Sequence, residues 1–170
     1  QNDTSYTKEN WKEWSDKQCA TATPGAIEFL NYVKSKNVEI VYITNRRDNE
    51  KEATIANMKK LGFPEVKEEN FFFRTDESDK DARRKMVAEK YNIVLLLGDN
   101  LADFDSMLDD RKENYGFDNV DQLKDQFGTF FIILPNPMYG NWEKPLNKDE
   151  NKTGLQNKID ALVGYDKACK

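Results

Sequence analysis

Apolar residues fall along this chain in short runs, separated by polar stretches in which an apolar residue returns every three or four positions. Four runs are rich in β-branched and aromatic residues and predict strands: Val38 to Thr44, Phe71 to Arg74, Ile93 to Gly98 and Thr129 to Leu134. Three are apolar almost throughout, which predicts burial on both faces. Pro24 to Ser35 places Ile27, Leu30 and Val33 at every third position and predicts a helix, with Pro24 at its first turn and Thr23 as its cap. Further helices are predicted over Glu50 to Leu61, ended by Gly62, and over Lys80 to Tyr91, Leu101 to Arg111, Asn119 to Phe127 and Leu155 to Val163. Trp11 and Trp14, three positions apart, predict an N-terminal helix outside the sheet. Strand alternating with helix is the pattern of an α/β fold, a parallel sheet with helices on its faces.

Composition narrows what such a fold could do. A chain of 170 residues fits one domain and can bury a core without disulfides or a structural metal. The net charge of -5 argues against a surface that collects phosphate backbones, so no nucleic acid polymer is expected as a partner and any phosphate chemistry must be local. No apolar run has the length of a membrane span, and the first residues, Gln-Asn-Asp-Thr, do not form a signal peptide. If the natural protein is exported, its targeting segment is expected outside these residues. Cys19 and Cys169 match no zinc spacing, and sequence leaves open whether they pair. The chain has no histidine, which excludes Ser-His-Asp and Cys-His hydrolysis, phosphohistidine chemistry and imidazole-based zinc sites. The available chemistry runs on carboxylates, hydroxyls, lysine and a metal bound through oxygen.

Open parallel sheets bind ligands beyond the carboxyl ends of their strands, where loops and helix N-termini converge. The first predicted strand ends in Ile43-Thr44-Asn45-Arg46-Arg47, offering a hydroxyl, an amide and two cations to an anion. Taken alone, the same residues also fit a strand end and turn with solvated arginines. The third strand runs into Gly98-Asp99-Asn100-Leu101-Ala102-Asp103, two carboxylates four residues apart that could serve a metal and its water, or equally cap a helix. Between them, Ser78-Asp79-Lys80-Asp81-Ala82-Arg83 puts Lys80 at a predicted helix start, where an ammonium gains nothing from the helix dipole; an anion partner would account for it, as would simple solvation.

In this order, Thr-Asn-Arg, Ser-x-Lys-x-x-Arg and Gly-Asp-Asn-Leu-x-Asp-Phe resemble the motifs of class C acid phosphatases, exported lipoprotein phosphatases of the haloacid dehalogenase (HAD) superfamily. Pro24-Gly25-Ala26, Asn57 to Phe63, Leu134-Pro135-Asn136 and Tyr139-Gly140-x-Trp142 add to the resemblance, which spans about Trp11 to Trp142. It implies a HAD-like Rossmannoid sheet with a small helical cap element. It also implies a Mg2+-dependent phosphatase of small phosphomonoesters, nucleoside monophosphates above all, located in the periplasm, at the outer membrane or cell surface as a lipoprotein, or outside the cell. By resemblance Thr44 holds a phosphoryl oxygen, Lys80 bridges phosphate and nucleophile, Asp99 ligates magnesium, and Asp103 stands behind it to position metal-bound water or Lys80. Asn45 and Arg46 line the phosphate, while Trp11 and Tyr139 take the places of aromatic residues near the substrate, although core filling explains both about as well.

The family signature also includes Asp-x-Asp-x-Thr at the end of the first sheet strand, and this sequence contains no such motif. The nucleophile, the general acid and one magnesium ligand are therefore expected outside the chain, together with the first strand, and the chain as given is expected to be inactive. Two other functions remain open: a noncatalytic HAD relative that binds phosphate or metal, and a receiver-like domain, which the Thr-Asn-Arg strand exit and Trp-rich flanks fit poorly.

Overall fold

Parallel pairing of short strands is the backbone of the computed structural model, which describes residues 7–111, 113–136, 140–146 and 149–161. They fall into two compact units divided between Lys90 and Tyr91.

In the first unit the order is α1 (Lys8–Asp16), α2 (Ala26–Ser35), β1 (Tyr42–Arg47), α3 (Lys51–Leu61), β2 (Phe71–Arg74) and α4 (Asp81–Ala88). Strands β1 and β2 are parallel, with Tyr42 opposite Phe71 and Ile43 opposite Phe72, and the register shifts before Arg47 meets Arg74. Ile55, Val66 and Phe71 form the core, flanked by Tyr42, Met58, Phe63 and Phe73. The Tyr42, Phe71 and Phe73 rings stack in succession at 4.8 and 5.6 Å, which fixes the strands against α3. β1 begins later than its apolar run because Asn70, not a neighbouring strand, donates to the Ile40 carbonyl. α2 also starts late, at Ala26, capped by Gly25 at φ 80; Thr23 contributes its carbonyl to Ala26 N–H and no side-chain cap. α3 ends as expected, on Gly62 at φ 83, where a residue with a Cβ would be strained.

The second unit contains β3 (Leu96–Gly98), α5 (Phe117–Gln122), β4 (Phe131–Ile133) and α6 (Gly154–Ala161). β3 and β4 are parallel in unbroken register, Leu96 to Phe131 through Gly98 to Ile133. Phe104, Leu108 and Phe131 are the buried centre, with Leu96, Leu101, Val120, Leu123, Phe127 and Phe130 around them. The predicted helix from Leu101 to Arg111 is instead two 3-10 turns, Leu101–Asp103 and Ser106–Asp109. Asp105 accepts a hydrogen bond from the Met107 N–H, which a continuous α-helix would direct to the Asp103 carbonyl, while Asn100 accepts from the Ala102 N–H and caps the first turn.

The expectation that strands are buried on both faces does not hold among the described residues. Leu96 and Phe131 face the core, whereas their strand neighbours Leu97 and Ile133 are 43% and 47% exposed. Among the described residues each strand pairs with one neighbour, and in β3 and β4 packing covers one face.

Candidate active site

β1 delivers its chemistry in its last residues. Thr44 is half-buried, and its hydroxyl oxygen accepts from the Arg46 N–H at 3.1 Å, a turn that orients the hydroxyl and leaves its own hydrogen to donate. Asn45 is exposed, and its side-chain oxygen accepts from Arg83 Nη2 at 2.7 Å. The Arg46 guanidinium lies over Trp11 and Trp14, 5.5 and 5.6 Å from their ring centres, and donates to Thr54 Oγ1 at 3.0 Å. The two indoles are themselves 5.1 Å apart. Arg46 thereby joins α1 to the exit of β1, so Trp11 stands near the Thr44 turn in a fixed orientation. Cation–π contacts at such half-exposed sites contribute about 0.5–1 kcal/mol each.

The loop after β2 leads to Lys80, which directly precedes α4, and Asp79 accepts from the Asp81 N–H at 2.9 Å to start that helix. Arg83, on the first turn of α4 and 8% exposed, reaches back to this loop and across to β1. It donates to the carbonyls of Asp79 at 2.9 Å and Ser78 at 3.4 Å, to the Thr44 carbonyl at 2.5 Å, and to the Asn45 side chain. Thr44, Asn45 and the approach to Lys80 are thus brought onto one guanidinium.

In the second unit, Asp99 leaves β3 exposed, and its Oδ2 accepts from Asn136 Nδ2 at 2.8 Å, a residue just past the end of β4. Asp103 folds back on the strand end, its Oδ2 3.3 Å from the Asn100 N–H it accepts from. Gly98 makes this possible, because a Cβ there would lie 2.6 Å from both Cβ and Oδ2 of Asp103. Buried Arg111 braces the turn by donating to Asn100 Oδ1 at 3.3 Å. Among the described residues no three acidic, cysteine or histidine side chains are grouped to hold a metal ion. Tyr139 lies outside the described residues, as does Cys169; Cys19 is exposed and makes no disulfide among them.

Of the expected residues, the first unit joins Thr44, Asn45 and the Lys80 loop through Arg83 and sets Trp11 on Arg46, while the second holds Asp99 and Asp103 around one strand end. Sequence reading passed over Arg83, Asn136 and Arg111 as functional residues. The first two lay inside motifs already noted, Ser-x-Lys-x-x-Arg and Leu-Pro-Asn, and that was the signal that could have found them.

Parallel strands whose carboxyl ends carry Thr-Asn-Arg and Gly-Asp, with a lysine at a helix start between them, define an α/β protein of HAD type. The model of the HAD superfamily, subfamily IIIB acid phosphatases, matches residues 1–142, and the chain belongs to that family. Its structure is similar to the class C acid phosphatase from Bacillus anthracis, at 37% identity and a TM-score of 0.84 over 95% of this chain and 70% of that one. The same Bacillus anthracis phosphatase with tungstate bound gives a TM-score of 0.85. Among curated proteins the chain is similar to the stem 28 kDa glycoprotein of Glycine max, 28% identical over 100 residues that make up 55% of this chain and 39% of that protein. A stem 31 kDa glycoprotein of Glycine max is 29% identical over 135 residues, covering 76% of this chain and 46% of that protein. The chain thus spans less than half the length of these curated relatives.

Proposed function

We propose that the protein is a Mg2+-dependent acid phosphatase of small phosphomonoesters, with nucleoside monophosphates as the preferred class. The observation that carries this reading is the exit of β3, where Asn136 aims the Asp99 carboxylate at the carboxyl end of a parallel pair, the place where such sheets bind ligands. In this reading Asp99 is one metal ligand and Asp103, held against Gly98, is an outer-shell acid. Magnesium is held by one or two carboxylates plus waters, so a single carboxylate at this exit suits it as part of a ligand set completed from elsewhere. Bound there, the ion would supply polarisation of the phosphoryl group and offset carboxylate repulsion.

Thr44 donates its hydroxyl hydrogen to a phosphoryl oxygen, and the Lys80 ammonium offsets the charge that develops during transfer. Transfer goes to an aspartate in an Asp-x-Asp-x-Thr segment outside these residues, and water then cleaves the aspartyl phosphate, so two easier steps replace one hard displacement. Trp11 and Tyr139 offer rings on which a nucleobase can stack. The family resemblance supports export with a lipid anchor; no helix among the described residues is long and apolar enough to cross a membrane.

The test is phosphate release from a nucleoside monophosphate by the protein extended upstream through that segment. Chelation should abolish it and Mg2+ restore it. Asp99→Asn should cost more than the roughly 10–100-fold typical of outer-shell partners. Phosphate-induced thermal stabilisation of the extended protein without phosphate release would replace this reading with that of a noncatalytic binder.

A further inference from the structure

We infer that Arg83 is a positioning residue that holds the Thr44 turn and the Lys80 loop in one frame, an inference that rests on the phosphatase reading above. The two segments are far apart in sequence: Arg83 lies 39 residues from Thr44 and four from Asp79, yet one side chain donates to both. Its acceptors toward the site are the Thr44 and Asp79 carbonyls, the Asn45 side-chain oxygen and, more weakly, the Ser78 carbonyl. These bonds are charge-assisted and the group is nine-tenths buried, so the carbonyls have little water to fall back on if it is removed.

The planar guanidinium suits this task because its Nη atoms together span both segments, Nη1 reaching Thr44 and Nη2 reaching Asn45 beside it as well as Ser78 and Asp79. A lysine would present one compact ammonium on a flexible stem and could not keep that fork. The guanidinium grips the turns through backbone carbonyls and the Asn45 side chain. The Thr44 hydroxyl and the Lys80 ammonium belong to the residues it steadies and are not themselves its partners. Arg83 therefore acts on phosphate through Thr44 and Lys80. Without it the two loops lose this shared link and keep their own local turns, the Arg46 N–H to Thr44 Oγ1 bond in one and the Asp81 N–H to Asp79 Oδ1 bond in the other. Misplacement of reacting groups by about 1 Å can cost on the order of 100-fold in rate.

Two measurements on Arg83→Met and Arg83→Lys test this. The first is amide hydrogen exchange in the present chain, which needs no activity: the Arg46 and Asp81 amides should both exchange at least about tenfold faster, while those around Ile55 in α3 keep their protection. The second is steady-state kinetics of the upstream-extended protein, where kcat should fall by about 10–100-fold for both variants, with lysine failing to rescue. Arg84→Met, removing a neighbouring buried arginine paired with Asp81 on its own helix, should lower stability while leaving Arg46 exchange and kcat near wild type. Exchange confined to α4, or an unchanged kcat, or full rescue by lysine, would overturn the inference. Loss of phosphatase activity in the wild type itself would sink the functional reading alone, because exchange still reports whether Arg83 couples the loops. If the methionine variant does not fold, the lysine variant carries both measurements.

Discussion

Single residues show most directly how charge is used in this molecule. Glu65 accepts from Lys34 at 2.6 Å and Lys67 at 2.5 Å, and these two ammonium groups hold its carboxyl at about 2, well below its ordinary 4.5. Burial and the nearby Glu65 charge push the Tyr42 hydroxyl up to about 12, and that hydroxyl donates to the Pro64 carbonyl at 2.6 Å, beside the same turn. A carboxylate whose pKa is lower in the folded chain stabilises it fully above the unfolded value and ceases to do so as pH falls through the folded one. Glu65→Gln should therefore lower the melting temperature at about pH 6, with the difference from wild type shrinking below about pH 4.5 and gone near pH 2, as thermal unfolding across that range would show. A difference that persists at pH 2 would mean that the side chain acts by shape and not by charge. Glu65, Arg83 and Asn136 each have one partner remote along the chain, at Lys34, Thr44 and Asp99, and those pairings were not legible in the sequence. The placement of Thr44 and Asp99 at strand exits and of Lys80 at a helix start was legible because such positions announce themselves locally.

At the scale of elements, legibility followed the competition between side chains and backbone. β2 matches its predicted run residue for residue, since Phe71, Phe72 and Phe73 carry no polar group that could divert the ladder. α3 stops where Gly62 adopts the left-handed conformation that its missing Cβ permits. The stretch after β3 departs from the expected helix because Asp105 claims the Met107 N–H and starts a second 3-10 turn, after Asn100 and Asp103 have capped the first through the Ala102 and Asn100 N–H groups. The same claim on the backbone places Asp103 against Gly98, so strand end and turn act as one piece. Gly98→Ala should cost about 1–3 kcal/mol by forcing that carboxylate away. The double variant Gly98→Ala/Asp103→Gly should recover most of that stability, because the clash is gone, yet remain defective in phosphate release. Urea unfolding of Gly98→Ala, Asp103→Gly and the double variant, with steady-state kinetics of their upstream-extended forms, separates the packing effect from the chemical one, and strict additivity of the two single-variant stability changes would refute the coupling.

For the whole molecule, the decisive question is where the phosphoryl group goes. Asp103 and Asp105 have the spacing of a nucleophile pair, but each is engaged in a local turn, Asp103 with the Asn100 N–H and Asp105 with the Met107 N–H. An aspartate that accepts a phosphoryl group needs an oxygen presented in line with the leaving group, whereas these two close 3-10 turns. In the proposed reading Thr44 and Lys80 are phosphate-holding groups and Asp99 is a metal ligand, and none of the three accepts the phosphoryl group. This division predicts that the 170-residue chain, assayed alone with a nucleoside monophosphate and Mg2+, releases no phosphate above background, and that extension through an Asp-x-Asp-x-Thr segment confers turnover. In the extended protein, replacing the first aspartate of that segment by asparagine should abolish release and leave tungstate-induced thermal stabilisation in place, since the anion-holding groups are untouched. Turnover by the 170 residues alone would place the nucleophile among the aspartates present here. Asp105→Asn would then be the variant to make, because its Met107 contact is exposed and gives way more easily than the packing of Asp103 on Gly98.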